Sequence, residues 1–174
     1  MRAMYILLIV FMVAAWSDGL AQADAADGAL NAVYGIVNQA VQLVDGRAES
    51  EAAPGSVIKT ITIVVGKPVC GDLDGDGNED AALFLSQDLG GSGTFFYVAA
   101  AMFNEGRWQG TNAVLVGDRV VPGTISIRSG VVTARYADRM PEQPMAQKPS
   151  VAKTLNLKLV NGRLEAIQPR SPSE

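Results

Sequence analysis

The chain has 174 residues, of which 48% are hydrophobic and 18% charged, and its formal net charge is −4, a composition typical of a globular protein. Histidine is absent and Cys70 is the only cysteine, so the usual base of Ser-His-Asp and Cys-His catalysis is missing. Structural zinc lacks its histidine and cysteine ligands, and an intramolecular disulfide is excluded.

The first 23 residues have the layout of a secretory signal peptide. Arg2 supplies a positive start, residues 4–16 form an apolar run, and an A-x-A cleavage site ends at Ala23. The apolar run has 13 residues, whereas a membrane-spanning helix needs roughly 20. We therefore expect cleavage before Asp24, a periplasmic or secreted protein, and no membrane span after cleavage. An uncleaved membrane anchor is the alternative.

The segment from Ala25 to Val44 allows two interpretations. Its apolar stretches, Asn31–Val37 and Ala40–Val44, are followed by the turn-forming pair Asp45-Gly46, and this order favours strands. Apolar residues also recur there at helical spacing, which favours one amphipathic helix, although two glycines weaken that interpretation. The choice between hairpin and helix stays open at this point.

Apolar, alternating or β-branched stretches follow one another down the rest of the chain. The predicted strands are Val57–Val65, Ala81–Ser86, Thr94–Phe103, Thr111–Val116, Thr124–Arg128, Val131–Tyr136, Lys153–Val160 and Arg163–Ile167. Ser129-Gly130 and Asn161-Gly162 are predicted hairpin turns, and Met140–Pro149 a surface loop. These elements predict an all-β protein: a single antiparallel sandwich or partly open barrel of about 8–10 short strands. The β-domain would span residues 24–168, and residues 169–174 would form a flexible tail.

The stretch GDLDGDGNEDAAL, residues 71–83, places five acidic side chains within nine positions. Acidic groups this close repel one another unless a cation lies between them. Counted from Asp72 as position 1, residues with oxygen ligands fall at positions 1, 3, 5, 7 and 9 of an EF-hand loop, with a glycine at position 6. The predicted calcium (Ca2+) ligands are Asp72, Asp74, Asp76, the carbonyl of Asn78, and Asp80, the last directly or through water.

This stretch departs from an EF-hand in two ways. Position 12 is Leu83 instead of a bidentate glutamate, and the flanking segments have the pattern of strands instead of helices. The stretch resembles the calcium loops of FG-GAP, VCBS and dockerin-type repeats. Those repeats occur in arrays, whereas this chain carries one copy, so a propeller is not implied. The alternatives are an acidic turn that binds no ion and a magnesium site.

Several longer segments together resemble an uncharacterised family of small exported bacterial β-proteins. They are GDLDGDGNEDAALFLSQDLGGSGTFFYVAAAMF, GTNAVLVGDRV, VVTARYADRMPEQPM and LKLVNGRL, and the resemblance extends from about Tyr34 to Leu164. The GD-x-x-GDG-x-ED and GGSGTF segments are the most specific. The resemblance implies a secreted or lipid-anchored β-domain and supplies no catalytic residues. This chain differs from lipid-anchored members because no cysteine follows its apolar run.

Charge is unevenly placed along the chain. Residues 24–118 contain 13 acids and 4 bases, whereas residues 119–170 contain 3 acids and 9 bases. The bases are spaced singly along predicted strands, which favours a solvated face over a nucleic-acid surface. Cys70 is expected to be a buried and inert side chain; a reactive thiol is the other interpretation.

These patterns lead to one expected function and two alternatives. We expect a non-enzymatic exported β-domain that holds one structural calcium ion and interacts with another protein or an envelope polysaccharide. The alternatives are a metal-dependent envelope hydrolase, which would use the acidic loop as its catalytic centre, and an inhibitor of a wall-degrading enzyme.

Overall fold

A computed structural model describes residues 24–91, 93–144 and 146–167. These residues form one short helix, α1 (residues 24–30), and twelve strands, which are β1 (Val33–Ile36), β2 (Gln39–Gln42), β3 (Arg47–Glu51), β4 (Lys59–Gly71), β5 (Asp80–Asp88), β6 (Thr94–Asn104), β7 (Arg107–Gly110), β8 (Val114–Asp118), β9 (Val121–Arg128), β10 (Val131–Asp138), β11 (Val151–Val160) and β12 (Arg163–Ile167). The predicted signal peptide and flexible tail lie outside the described residues. No helix in the described ranges has the length and hydropathy needed to span a membrane.

The central sheet has the order β3-β4-β5-β6-β7, and β8 also pairs with β6. β6 is 11 residues long, so β7 and β8 pair with successive parts of its outer edge. In β5 every residue from Asp80 to Leu85 is buried. A strand that is apolar on both faces must be covered on both faces, and this explains why further layers lie above and below β5.

One face of the central sheet packs against a second antiparallel sheet, of order β12-β11-β10-β9. The apolar layer between the two sheets includes Phe84 and Val98 from the central sheet and Val132 and Leu157 from the second sheet. Side chains alternate between the faces of a strand, so Leu83 and Leu85, which flank Phe84 in β5, lie in the apolar layer on the opposite face. The predicted all-β antiparallel sandwich is confirmed, with twelve strands in the described residues.

The opposite face of the central sheet is covered by α1 and the β1–β2 hairpin. Tyr34, Ile36 and Leu43 pack from this layer against Leu83 and Leu85 of β5. Beside this layer, Thr60 and Thr62 of β4 line a groove that also borders β2 and β3.

The segment from Ala25 to Val44 contains the two alternatives in succession, a helix followed by a hairpin. The hairpin turns at Val37-Asn38, whose φ angles are 44° and 65°. Asp45-Gly46 does form a turn, but it joins β2 to β3 through a bridge between Val44 and Arg47. The choice that the sequence left open is therefore settled in parts: residues 24–30 are helical, and β1 and β2 form the hairpin.

Both predicted hairpins of the second sheet are confirmed. Ser129-Gly130 joins β9 to β10, and Asn161-Gly162 joins β11 to β12. All four turn residues have positive φ, the backbone that matches a two-residue turn to the twist of its strands.

Elsewhere the boundaries differ from those expected. β4 begins two residues after Val57 and continues to Gly71, with a shift of register between Val65 and Val69. The predicted strand Thr111–Val116 is displaced to β8. The short strands β3 and β7 were not predicted.

Candidate metal centre

The acidic turn connects the end of β4 to the start of β5. Gly71 and Asp80 pair across the base of the turn, so residues 72–79 form the connection. Leu73 is only 4% exposed and packs between the two sheets. This buried side chain anchors the turn to the core, whereas Asp72, Asp74 and Gly75 remain exposed.

Three of the predicted ligand residues come together. A carboxylate oxygen from each of Asp72, Asp74 and Asp80 lies within 4.8 Å of the other two. Asp72 and Asp74 are exposed, whereas Asp80 is 1% exposed. The cluster therefore joins the two ends of the turn, with its exposed members on one end and its buried member on the other.

Backbone hydrogen bonds fix the carboxylates of the first half of the turn. Asp72 accepts the N–H groups of Gly75 at 2.6 Å and Gly77 at 3.2 Å, and Asp74 accepts the N–H of Asp76 at 3.1 Å. Gly75 and Gly77 have φ of 87° and 85°, a conformation that glycine adopts without steric penalty. The glycines thus let the chain curl its N–H groups toward its own carboxylates.

Two backbone N–H groups hold the Asp80 carboxylate, one from the acidic turn and one from β6. Its Oδ2 accepts the N–H of Leu73 at 2.9 Å, and its Oδ1 accepts the N–H of Phe103 in β6 at 3.1 Å. Burial raises the pKa of Asp80 to about 6; the two N–H donors oppose this rise, and the charges of Asp74 and Asp76 add to it. A carboxyl group in this position would be stabilised in its ionised form by a nearby cation.

The other two predicted ligand residues interact with each other. The Asp76 carboxylate accepts the backbone N–H and the side-chain Nδ2–H of Asn78, each at 2.7 Å. These hydrogen bonds lower the pKa of Asp76. Asp76 is not in the group of three carboxylates, so its role as a ligand, and that of the Asn78 carbonyl, stays a prediction.

Glu79 was not among the predicted site residues. Its Oε2 is buried and has no hydrogen-bond partner among the described residues. Burial raises the pKa of the Cys70 thiol, and the charge of Glu79 adds to that rise, which favours the protonated, less reactive thiol. Ligand spacing could not reveal this environment, because Glu79 falls at position 8 of the loop, between two ligand positions.

Solvent reaches the carboxylate cluster from two sides. A cleft of about 570 Å³ is bordered by Asp72 and Asp74 on one side and by Lys158 of β11 on the other. A second cleft, of about 260 Å³, lies between Asp74 and Gln109 of β7. Water could therefore complete the coordination of an ion held by the three carboxylates.

Fold and site together define an all-β antiparallel sandwich with an acidic turn at one end of its central sheet. Comparison of the chain with protein-family models, with curated proteins and with solved structures finds no match. The chemistry of the acidic turn is therefore the main guide to function.

Proposed function

We propose that the acidic turn holds one structural calcium ion and that the protein is a non-enzymatic, exported β-domain stabilised by that ion. The observation that carries the proposal is the meeting of the Asp72, Asp74 and Asp80 carboxylates within 4.8 Å. Because Asp72 and Asp80 lie at opposite ends of the turn, an ion shared between them would fasten β4 to β5. Through the Asp80–Phe103 hydrogen bond it would also support β6.

The donor atoms favour calcium over other ions. All three side chains offer oxygen, the ligand atom of hard cations. Calcium accepts about 6–8 oxygens in flexible geometry, whereas magnesium requires a near-ideal octahedron and keeps several of its waters. A carboxylate oxygen has two lone pairs, so an oxygen that accepts one N–H can still bind a metal.

The affinity is expected to be modest. Leu83 occupies the position of the bidentate EF-hand glutamate, and it is fully buried in the core, so it supplies no ligand. Loss of that ligand favours a dissociation constant in the extracellular range, about 10⁻⁴–10⁻³ M. At a calcium concentration about 100-fold above the dissociation constant, binding would add about 2.7 kcal/mol to the free energy of unfolding.

Thermal unfolding in calcium and in chelator tests the proposal. Saturating calcium should raise the unfolding midpoint of the wild-type protein by roughly 5–10 °C. Asp74→Asn keeps an oxygen for the Asp76 N–H but removes the charge, so it should abolish most of the calcium-dependent rise.

Asp88→Asn provides the matched control. Asp88 lies at the other end of β5, is exposed, and likewise accepts a backbone N–H, from Gly90 at 2.8 Å. This variant makes the same change in charge and should keep the full calcium effect. Equal midpoints in calcium and chelator for the wild-type protein, or an equal loss in both variants, would show that the turn holds no structural calcium.

A further inference from the structure

A polar groove lies at the opposite end of β5 from the acidic turn. Its volume is about 550 Å³, its wall is β2, and its floor is formed by residues of β3, β4 and the end of β5. Thr62 and Gln87 in the floor are 2% and 6% exposed, and Gln87 Nε2 donates to Thr62 Oγ1 at 3.2 Å. The floor of the groove thus contains two buried polar side chains joined by a hydrogen bond.

The wall of the groove presents backbone hydrogen-bonding groups. Leu43 N–H donates to the Ala32 carbonyl, and hydrogen-bonded pairs alternate along an antiparallel ladder. Of the β2 residues, Val41 and Gln39 therefore bond to β1, while the N–H and C=O of Ala40 and Gln42 point away from it. β2 pairs only with β1 among the described strands, so this edge is open.

β3 presents a second open edge. The Val64 N–H donates to the Gly46 carbonyl, and the Ala52 N–H donates to the Ile58 carbonyl. Even-numbered residues of this segment therefore bond to β4, and the backbone groups of Glu49 and Glu51 point away from it. β2 and β3 are paired only at their joining turn, where Val44 and Arg47 exchange two hydrogen bonds. Beyond this pair the two strands diverge, and the groove occupies the space between them.

The two edges differ in how they are protected against pairing. Natural edge strands are commonly guarded by charged side chains or proline. β3 has a charged side chain at three of its five positions, whereas β2, with the sequence QAVQ, has neither charge nor proline. β2 is therefore the edge that a further strand would join.

The charged side chains that line the groove are both acidic. They are Glu49 and Glu51. Glu49 is engaged by Arg47, which lies outside the lining, in an ion pair of 3.1 Å. Glu51 accepts the N–H of Gly55 and has no ion pair among the described residues, so its charge is available to a basic group.

We propose that this groove binds an extended segment of a partner protein, which adds as a strand to the Ala40–Gln42 edge and places a lysine or arginine near Glu51. Addition of a strand satisfies the outward N–H and C=O groups, which recur at every second residue, or about every 6.6 Å, and an extended polypeptide backbone matches this repeat. The segment would extend the β1–β2 layer over the polar floor, and its alternate side chains would face Thr62 and Gln87.

Selection from a phage-displayed library of random hexapeptides, with the full protein as target, provides the probe. Enriched peptides are expected to carry lysine or arginine. Ala40→Pro removes an outward N–H without removing a β1–β2 hydrogen bond, and proline is tolerated at such edge positions. It should weaken binding of the synthesised peptides about tenfold or more, whereas the control Ala40→Ser should not.

Two further measurements keep the test decisive if Ala40→Pro fails to fold. Two sets of peptides, methylated at the odd or at the even backbone nitrogens, should differ: only the set whose methylated nitrogens face β2 should lose binding. Glu51→Gln should weaken binding and reduce the salt dependence of binding. The proposal is overturned if no peptide is enriched, if enriched peptides lack basic residues, or if they bind regardless of backbone methylation and of the Ala40 N–H.

Discussion

Asp80 is the buried member of the acidic cluster, and both of its oxygens already organise the backbone. Through Leu73 it shapes the acidic turn, and through Phe103 it ties that turn to β6. The same carboxylate is one of the three proposed to bind calcium. Asp80 should therefore contribute to stability with or without the ion.

This dual role predicts a loss of stability in Asp80→Ala even when calcium is removed. The buried N–H of Leu73 and the partly buried N–H of Phe103 would lose their acceptor, and each such loss costs about 1–3 kcal/mol. Urea denaturation in chelator should show a decrease of about 3 kcal/mol in the free energy of unfolding. Asp76→Ala should have a much smaller effect, because Asp76 is exposed and water can replace it as the acceptor of the Asn78 N–H groups. Equal effects of the two substitutions in chelator would refute the structural role of Asp80.

The residues of the turn also mark how far spacing alone can predict a site. The period of two from Asp72 to Asp80 predicted five ligand residues, and the carboxylates of three of them, Asp72, Asp74 and Asp80, lie close together. Spacing did not reveal that the short Asp76 side chain would accept the N–H two residues ahead, a local bond that competes with other roles. Nor could it reveal the Phe103 N–H, because that partner comes from another strand.

At the scale of elements, Asn112 links the three layers of the protein. The adjoining Thr111 carbonyl and Ala113 N–H bond to Gly35 of β1 at 3.1 and 2.8 Å. The Asn112 side chain donates to the Leu164 carbonyl of β12 at 3.0 Å and accepts the Leu164 N–H at 2.8 Å. Asn112 follows β7, on the outer edge of β6, and so connects the central sheet to both covering layers.

Asn112→Ala should loosen β12 specifically. Two hydrogen bonds to partly buried backbone groups would be lost, which corresponds to about 2 kcal/mol in the free energy of unfolding. Hydrogen exchange should show faster exchange of the Leu164 amide. Asn156 accepts a single hydrogen bond from the Thr133 hydroxyl, so Asn156→Ala should have a smaller effect and leave Leu164 protected. Unchanged exchange at Leu164 in Asn112→Ala would contradict this link.

The elements that were predicted well are those specified by local sequence. Ser129-Gly130 and Asn161-Gly162 force tight turns between alternating strands, so the β9–β10 and β11–β12 hairpins follow directly. The sequence pattern did not decide in favour of helix α1, because Gly28 lowers helix propensity. Tertiary packing explains why glycine occupies position 28: a Cβ there would lie 2.1 Å from the Trp108 ring. β7, which carries Trp108, is only four residues long and is held by pairing with β6.

At the scale of the whole molecule, the uneven charge of the sequence follows the layers. The acid-rich half of the chain forms α1 and the strands β1–β8, and the second sheet, β9–β12, comes from the base-rich half. The two halves face each other at the acidic turn, where Lys158 shares a cleft with Asp72 and Asp74. Lys158 lies more than 80 residues after Asp72 and Asp74 in the sequence, and these residues meet only when the two sheets pack. The sequence alone therefore did not show how the basic residues lie relative to the acidic turn.

The two proposed sites occupy opposite ends of β5. The acidic turn adjoins Asp80 and the polar groove adjoins Gln87. These two residues are seven positions apart in β5, which corresponds to about 23 Å along an extended strand. The proposed calcium ion would thus stabilise one end of the central sheet, while the other end offers an open edge to a partner.

A crystal structure determined at saturating calcium tests the central claim most directly. We expect one ion bound by oxygens of Asp72, Asp74 and Asp80 at roughly 2.3–2.6 Å, with water among the remaining ligands. The same structure would show whether Asp76 and Asn78 exchange their mutual hydrogen bonds for the metal. Three carboxylates arranged as here but without an ion, at calcium well above millimolar concentration, would contradict the account.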